Sequence, residues 1–454
     1  MKTDMPEQEI RFDEALNAAV GAVQKALPIL AADGESVLLI RDLTGRFRVF
    51  VDREAPNDPM GSSEFERQFS ASVGAFAAEG GLLFWRDGIL APHVLHESPE
   101  AWSPAGAPPN LRVIDRLVTG REWLLASAPG KATTPPRLVF FGIKGGVGRT
   151  TALAMLAWHL STQGKNVLVV DLNLESPGLA HSLLPDDGDA DSPIIRDWPE
   201  FGVVDWLVED LVGQADSLVR EGDLWARSPL STQGDIWVVP AMGGRRVQDY
   251  IGKLSRAYVD VPVAGGRSEF FGDRIARFVD VLEDRVKPDV VLLDSRAGLH
   301  DISSALLTRL DAWCLLFAVD ARQTWEGLRI LFRHWQRKPE ALRRLRLQFL
   351  TVAAMVPEDA FWPEYRREFC EHAFDVFQEI YDEIAADIAE DANLFTFAVD
   401  DPDAPHWPTR IERHGAFDRF APLERRVQVD ETKVKPAFGD FLNKIDLILA
   451  EQTP

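Results

Sequence analysis

Ten residues near the first third of the chain, GIKGGVGRTT at 142–151, concentrate groups that bind anions. Gly145, Gly146 and Gly148 allow backbone conformations that other residues resist, so successive amides can point inward at a phosphate. Lys144 stands in front of them and Arg149 behind. Thr150 and Thr151 follow, and a hydroxyl at a helix start can ligate Mg2+. The ordinary phosphate-binding pattern is G-x-x-x-x-G-K-[ST], and this stretch departs from it twice. Ile143 stands where the first Gly belongs, and Arg149 where the Lys belongs. Arg keeps the charge, but it is a wide planar fork where Lys is a compact point charge, so the exchange either alters how a tight site handles phosphate or is a tolerated replacement with ordinary function.

Such a loop needs a strand to deliver it and a helix to leave it. RLVFFGI (137–143) reads as a buried strand and TTALAMLAWHLSTQG (150–164) as a helix ending at Gly164. The helix N-terminus adds partial positive charge for an anion. The runs KNVLVVD, DIWVVPA, DVVLLD, AWCLLFAVD, LQFLTVAAMVP and LFTFAVD recur between helices and are nearly all apolar. Continuous apolar strands alternating with helices argue for a parallel sheet covered on both faces. The expected fold class is therefore α/β, a doubly wound, mostly parallel sheet, preceded by a smaller α+β domain. The Pro-rich stretch SAPGKATTPPR marks the boundary, giving an N-terminal domain at 1–130, a linker at 131–136 and the phosphate-binding domain at 137–454. In the first domain, helical spacing at 11–30, a hairpin around Thr44-Gly45 and further short strands predict an antiparallel sheet with helices. Asp42, Asp52, Asp87 and Asp115 fall near turns, where Asp serves local backbone hydrogen bonds. A docking role suits this domain better than a catalytic one.

KGGVGRTT resembles the variant loop K-G-G-x-G-K-[ST]-[ST] of the ParA/MinD family, the deviant Walker ATPases. VLVVDLNLESPG (167–178) is similar to that family's switch I segment and VVLLDSRAG (290–298) to its Walker B and switch II segment. The likeness spans roughly 137–450 and is most specific at the loop and at Walker B. It implies a P-loop NTPase domain binding ATP and Mg2+ as a homodimer across the nucleotide. Lys144 matches the signature Lys that reaches the partner's nucleotide. Lys144, Gly145, Gly146, Val147, Gly148, Arg149, Thr150 and Thr151 would hold the phosphates, and the amide of Gly298 the terminal one. Thr150, and Asp294 through water, would hold Mg2+. Asp171 matches the first acidic position of switch I. Asn173 stands where the family has the Asp that positions the attacking water, and an amide accepts a hydrogen bond without taking a proton. With Arg149, this implies slow hydrolysis or none, carried by Lys144, Arg149, Asp171, Asn173 and Asp294. Glu175 is a possible substitute for the missing carboxylate, or a solvated loop residue. Arg296 reads as a surface ion pair or as an arginine finger. The family's base-binding segments fall near Met355–Pro357 and 398–405.

Acidic residues outnumber basic ones 71 to 49, a net charge of −22. That charge argues against non-specific nucleic-acid binding and against polybasic membrane attachment. Two isolated cysteines, Cys314 and Cys370, fit a reducing compartment, and with no apolar run of membrane-spanning length or signal peptide they predict a cytoplasmic protein. The acidic stretch PDDGDADSP (185–193) and VPVAGGRSEFF (261–271) read as loops. Three functions compete. The first is a nucleotide-dependent dimerising switch with slow ATPase activity that regulates an unknown partner protein. The second is a non-hydrolysing nucleotide sensor or scaffold. The third, less supported, is an ATP-dependent metabolic enzyme, for which no second polar cluster stands out.

Overall fold

The computed structural model describes residues 10–57, 60–125, 135–185, 198–244, 249–263, 267–358, 360–383 and 394–451. It divides into two units, Met1–Leu125 and Ala126–Pro454. The proposed linker at 131–136, except its last two residues, and the acidic stretch after Pro185 lie outside the described residues.

The first unit contains α1 (Phe12–Leu30), β1 (Val37–Arg41), β2 (Phe47–Val51), α2 (Met60–Val73), β3 (Leu83–Trp85), α3 (Pro92–His96) and β4 (Leu111–Asp115). Ala15, Ala19, Val23, Ala26 and Leu30 repeat at three- to four-residue spacing, so α1 buries one face. The hairpin between β1 and β2 turns as expected. Gly45 takes φ +88°, and the Asp42 carboxylate accepts from the amides of Thr44 and Arg46 at 2.9 and 3.0 Å. The sheet order is β3-β2-β1-β4. It is mixed, correcting the antiparallel expectation. Among its four strands the hairpin pair is antiparallel, while β4 runs parallel to β1 and β3 parallel to β2. Strand direction here follows from the crossover segments that separate β2 from β3 and β3 from β4, which a strand's own composition does not reveal.

The second unit begins with β5 (Arg137–Phe141), α4 (Arg149–Thr162), β6 (Val167–Asp171), α5 (Leu179–Leu183), α6 (Val203–Asp210) and α7 (Ala215–Glu221). It continues through β7 (Ala226–Arg227), β8 (Ile236–Val239), α8 (Tyr250–Ala257), a hairpin of β9 (Val261–Val263) and β10 (Arg267–Glu269), and α9 (Phe271–Val286). Then come β11 (Val290–Asp294), α10 (Asp301–Arg309), β12 (Trp313–Ala318), α11 (Arg322–Trp335), α12 (Pro339–Leu345), β13 (Phe349–Val356), α13 (Trp362–Phe377), β14 (Thr409–Glu412) and α14 (Glu431–Glu451). The main sheet has the order β14-β13-β12-β5-β11-β6-β8-β7, and every pair is parallel except β7 with β8. The chain runs from β5 outward to β8, returns to insert β11 beside β5, and continues to the other side. The unit is thus a doubly wound α/β fold whose central strand delivers the glycine loop at its carboxyl end, where such sheets bind ligands.

Two readings along this sheet are corrected. LFTFAVD (394–400) is not a strand. Phe395 and Phe397 instead pack around Tyr381, at ring separations of 5.7 and 5.5 Å. The edge position belongs to β14, four residues of mixed polarity that carry little strand signal. The segment at 261–271, read as a loop, contains the short β9–β10 hairpin.

Inside the sheet, β5, β6 and β11 are buried throughout, as near-continuous apolar strands require. α14 lays Val434, Phe438, Phe441, Leu442 and Ile445 into the same core as α4, and Phe441 meets Phe140 and Phe317 at 6.3 and 6.1 Å. Among the described residues, no helix is long and apolar enough to cross a membrane. At the amino end of β5, buried Arg137 donates to both oxygens of Glu283, at 2.6 and 2.8 Å, and to the Leu310 carbonyl at 3.0 Å. Removing one partner of a buried pair strands the other charge. Arg137→Met is therefore expected to lower unfolding free energy by about 3–5 kcal/mol in urea titration, whereas a loss below about 1 kcal/mol would class the pair with solvent-screened surface bridges.

Candidate functional site

The loop forms because glycine permits it at three places. Gly146 and Gly148 adopt φ of +72° and +76°. A Cβ on Gly142 would sit 2.9 Å from the carbonyl oxygen of Phe317 on β12, so a side chain there would force the strands apart. Val147, in the middle of the loop, is buried and pins it to the core. α4 then starts at Arg149, with the Ala152 amide donating to the Gly148 carbonyl at 2.9 Å. Lys144, Gly145 and Gly146 remain exposed.

The first departure from the ordinary pattern has a packing explanation. The Ile143 side chain lies against α11 at Gly327, where an added Cβ would come within 2.5 Å of Ile143 Cγ2. The bulk that replaces one glycine is accepted by another glycine on a neighbouring helix.

The second departure is tied inward. Arg149 is buried beneath the loop, its Cδ beside Gly142, and its Nη1 donates to the Ser295 carbonyl at 2.9 Å. Burial pulls its pKa down, and nearby Asp294 opposes that shift. One arm of the guanidinium fork is thus spent on β11's exit loop.

The strand register sets Asp171 and Asp294 side by side at the carboxyl ends of β6 and β11. Both are fully buried, and burial, with their mutual repulsion at Asp171, raises their pKa values above the usual carboxylate range. Arg149 and the Thr150 hydroxyl act the other way on Asp294. Asp171 accepts three backbone amides, from Asn173 at 3.1 Å and from Gly178 and Leu179 at 3.2 Å each. These bonds make it the anchor of loop 172–178. Asp294 accepts from Thr150 Oγ1 at 3.0 Å through one oxygen, while its other oxygen is buried without a hydrogen-bond partner. A half-buried hydroxyl and a buried, unpartnered carboxylate oxygen are the hard oxygen donors that Mg2+ takes, with water filling its remaining positions. The residues present fit that ion.

Asn173 also buries an unpartnered side-chain oxygen. Glu175 is drawn instead to Arg296, with 3.1 Å between charged atoms, and accepts a hydrogen bond from Tyr258. The Gly298 amide donates to the Gly142 carbonyl at 3.0 Å, with Gly298 at φ +88°, so the loop after β11 is closed onto the end of β5.

A cavity of about 340 Å³ opens beside the loop, lined by Gly146 through Thr151, by Met355, and by the segment from Ile411 to Phe420 with Phe438 of α14. Met355 was among the expected base-binding positions; 398–405 does not line the cavity. The residues that do, including His414, Phe417 and Phe420, were not singled out from sequence, because their segment is brought to the loop only by β14 and α14. Phe417 stands edge-on to Phe438 at 5.0 Å. Tyr250 and Tyr258, whose hydroxyls donate to the Leu174 carbonyl and to Glu175, were likewise not singled out from sequence.

Residues 136–177 match the family model for cellulose biosynthesis protein BcsQ, which covers β5, the glycine loop, α4, β6 and all but the last residue of loop 172–178. No curated protein matches the chain. Solved structures to which it is similar include a plasmid partition protein from Borrelia burgdorferi, at 14% identity over 53% of this chain and 86% of that one, TM-score 0.35. Another is pNOB8 ParA bound to nonspecific DNA, at 17% identity over 70% and 98%, TM-score 0.39. A third is cobyrinic acid a,c-diamide synthase from Mycobacterium smegmatis with bound ATP analog and magnesium, at 19% identity over 66% and 95%, TM-score 0.35. That this neighbour is bound to nonspecific DNA runs against the expectation of no nonspecific nucleic-acid binding, and that expectation is withdrawn. The error was physical: a charge of −22 is a sum over the whole chain, whereas phosphate contact needs only a local cluster of Lys and Arg. The second unit has the P-loop NTPase fold.

Two outcomes follow from this geometry. Gly327→Val should lower the melting temperature, at a cost of roughly 1–3 kcal/mol for overpacking, and Ile143→Gly added to it should restore most of the loss. No recovery in the double variant would show that Ile143 is not the obstructing group. A carboxyl whose folded pKa is raised holds its proton more tightly when folded. Its stabilising contribution is present at acid pH and is lost as pH rises from about 4 toward neutrality. Asp294→Asn should therefore flatten the fall in melting temperature of the nucleotide-free protein over that window; an unchanged pH profile would mean the pair carries no such burden.

Proposed function

We propose that the second unit is an ATP- and Mg2+-dependent switch that pairs with a second copy across the nucleotide, hydrolyses ATP slowly and regulates a partner protein from the cytoplasm. The observation that carries this reading is the Thr150–Asp294 couple, with one carboxylate oxygen unpartnered, set at the mouth of the glycine loop and beside an aromatic-walled cavity. The amides of Gly145 to Thr151 and the N-terminus of α4 bind phosphate. Thr150 and Asp294 hold the cation, which when bound would neutralise phosphate charge. Phe417 offers a ring face to a base. Lys144 is exposed and forms no ion pair with any described residue, which suits a cation that completes its contacts on another copy. Asn173 orients a water through its side-chain oxygen without accepting a proton, so positioning operates there without a carboxylate base, and turnover is slow. Residues 1–130 serve as a docking module joined through 131–136 to the NTPase domain at 137–454.

A non-hydrolysing sensor is the second reading, favoured by the tie between Arg149 and Ser295, which turns part of the guanidinium away from the phosphates. Purified protein with ATP and Mg2+, assayed together for bound nucleotide, phosphate release and mass in solution, separates the two. The switch predicts ATP binding, a doubled mass and slow phosphate release, with Lys144→Ala still binding ATP but staying monomeric. Binding without release supports the sensor. A wild-type protein that binds no ATP refutes both.

A further inference from the structure

Glu175 is a carboxylate that the phosphate cradle does not use, yet three side chains converge on it. The Tyr258 hydroxyl donates to one oxygen, and His300 Nε2 lies 3.4 Å from that same oxygen. Arg296 Nη1 lies 3.1 Å from the other. Tyr258 is held in turn against Phe271 at 4.6 Å between rings. The preceding residue, Leu174, gives its carbonyl to the Tyr250 hydroxyl at 2.8 Å. Two tyrosines at either end of α8 therefore fix loop 172–178, and through Glu175 that loop holds the side chain of Arg296.

Arg296 is one residue from a contact with the glycine loop: the Ala297 Cβ lies 3.9 Å from the position a Cβ would take on Gly145. Its backbone is anchored, since the carbonyl accepts from Ser303 Oγ at 2.8 Å. Its side chain is not. The contact with Glu175 is one of charge, because the carboxylate oxygen nearest Arg296 has no aligned hydrogen bond. A partly exposed pair of that kind is weak and yields to a stronger acceptor. A phosphate group, with more charge and more oxygens in reach of a planar fork, is such an acceptor.

We infer that Glu175 is a positioning residue, a latch that holds Arg296 off the phosphates, and that its release delivers the Arg296 guanidinium to the phosphate oxygens of the bound nucleotide. The inference rests on the nucleotide reading above. It differs from a simple arginine finger in that the group is withheld until loop 172–178 lets go.

The test is equilibrium binding of a fluorescent ATP analogue with Mg2+, alongside steady-state phosphate release, for the full chain and four variants: Glu175→Gln, Tyr258→Phe, Arg296→Ala and the double Glu175→Gln/Arg296→Ala. Glu175→Gln should tighten binding roughly tenfold, the size of one additional charge-assisted hydrogen bond. Tyr258→Phe, which removes only a hydroxyl and leaves the ring packing, should move affinity the same way by less. The double variant should lose the gain. A merely structural Glu175 would instead weaken binding whether or not Arg296 is present. If the wild type binds and Glu175→Gln binds equally or more weakly, the latch is wrong and the nucleotide reading stands. A gain that persists in the double variant also overturns it, since Arg296 would not be the released group. If neither the wild type nor Glu175→Gln binds the analogue, the nucleotide reading falls, and the latch with it.

Discussion

Two carboxyl groups stand together at the ends of adjacent buried strands, and the organisation of the site follows from what is arranged around them. Side by side in a low-dielectric core, Asp171 and Asp294 cannot both carry full charge without compensation. The protein treats them differently. Asp171 receives three amides and becomes the fixed point of the loop after β6. Asp294 receives one hydroxyl and a nearby guanidinium and keeps one oxygen unspent. Two identical side chains at one register thus acquire separate surroundings, one tied to a loop and one with an oxygen left unpartnered. The parallel register that sets them level is itself a product of the central strand order, so the sheet topology and the site electrostatics are one arrangement.

The loop's two departures from the ordinary pattern show how a local change is absorbed elsewhere. Ile143 is tolerated because Gly327 on α11 leaves room for it, and Arg149 because Ser295 and the space beside Gly142 receive its longer side chain. Neither compensation is adjacent in sequence. A single exchange of Arg149 for Lys would not restore an unmodified site, since a shorter, unforked side chain would leave the Ser295 carbonyl without its donor.

What could be read from sequence was what the chain builds from neighbours. The strand, glycine turn and helix at 137–164 are contiguous, and the apolar run ending at Asp294 announces a buried strand with an acid at its tip. The long-range parts were not legible. The cavity wall at 411–420 depends on a four-residue edge strand and on α14. The run at 394–400 has strand composition but is spent on an aromatic cluster around Tyr381. In the first unit the elements were visible while their directions were not, because direction is set by crossovers. Glu175 and Arg296 were each weighed alone, and only the fold reveals that they answer one another.

The helix that leaves the glycine loop is fastened at its far end by α14, where His159 meets Asp446 across 287 positions of chain, and Phe438 of the same late helix forms part of the cavity. During synthesis at ordinary translation speeds, that separation corresponds to a delay of about 15 to 60 seconds. For that interval a nascent chain carries its phosphate loop without the wall that completes the pocket. Assembly of the site therefore waits for residue 438, and a message truncated before it would yield a chain bearing the motif but not the pocket.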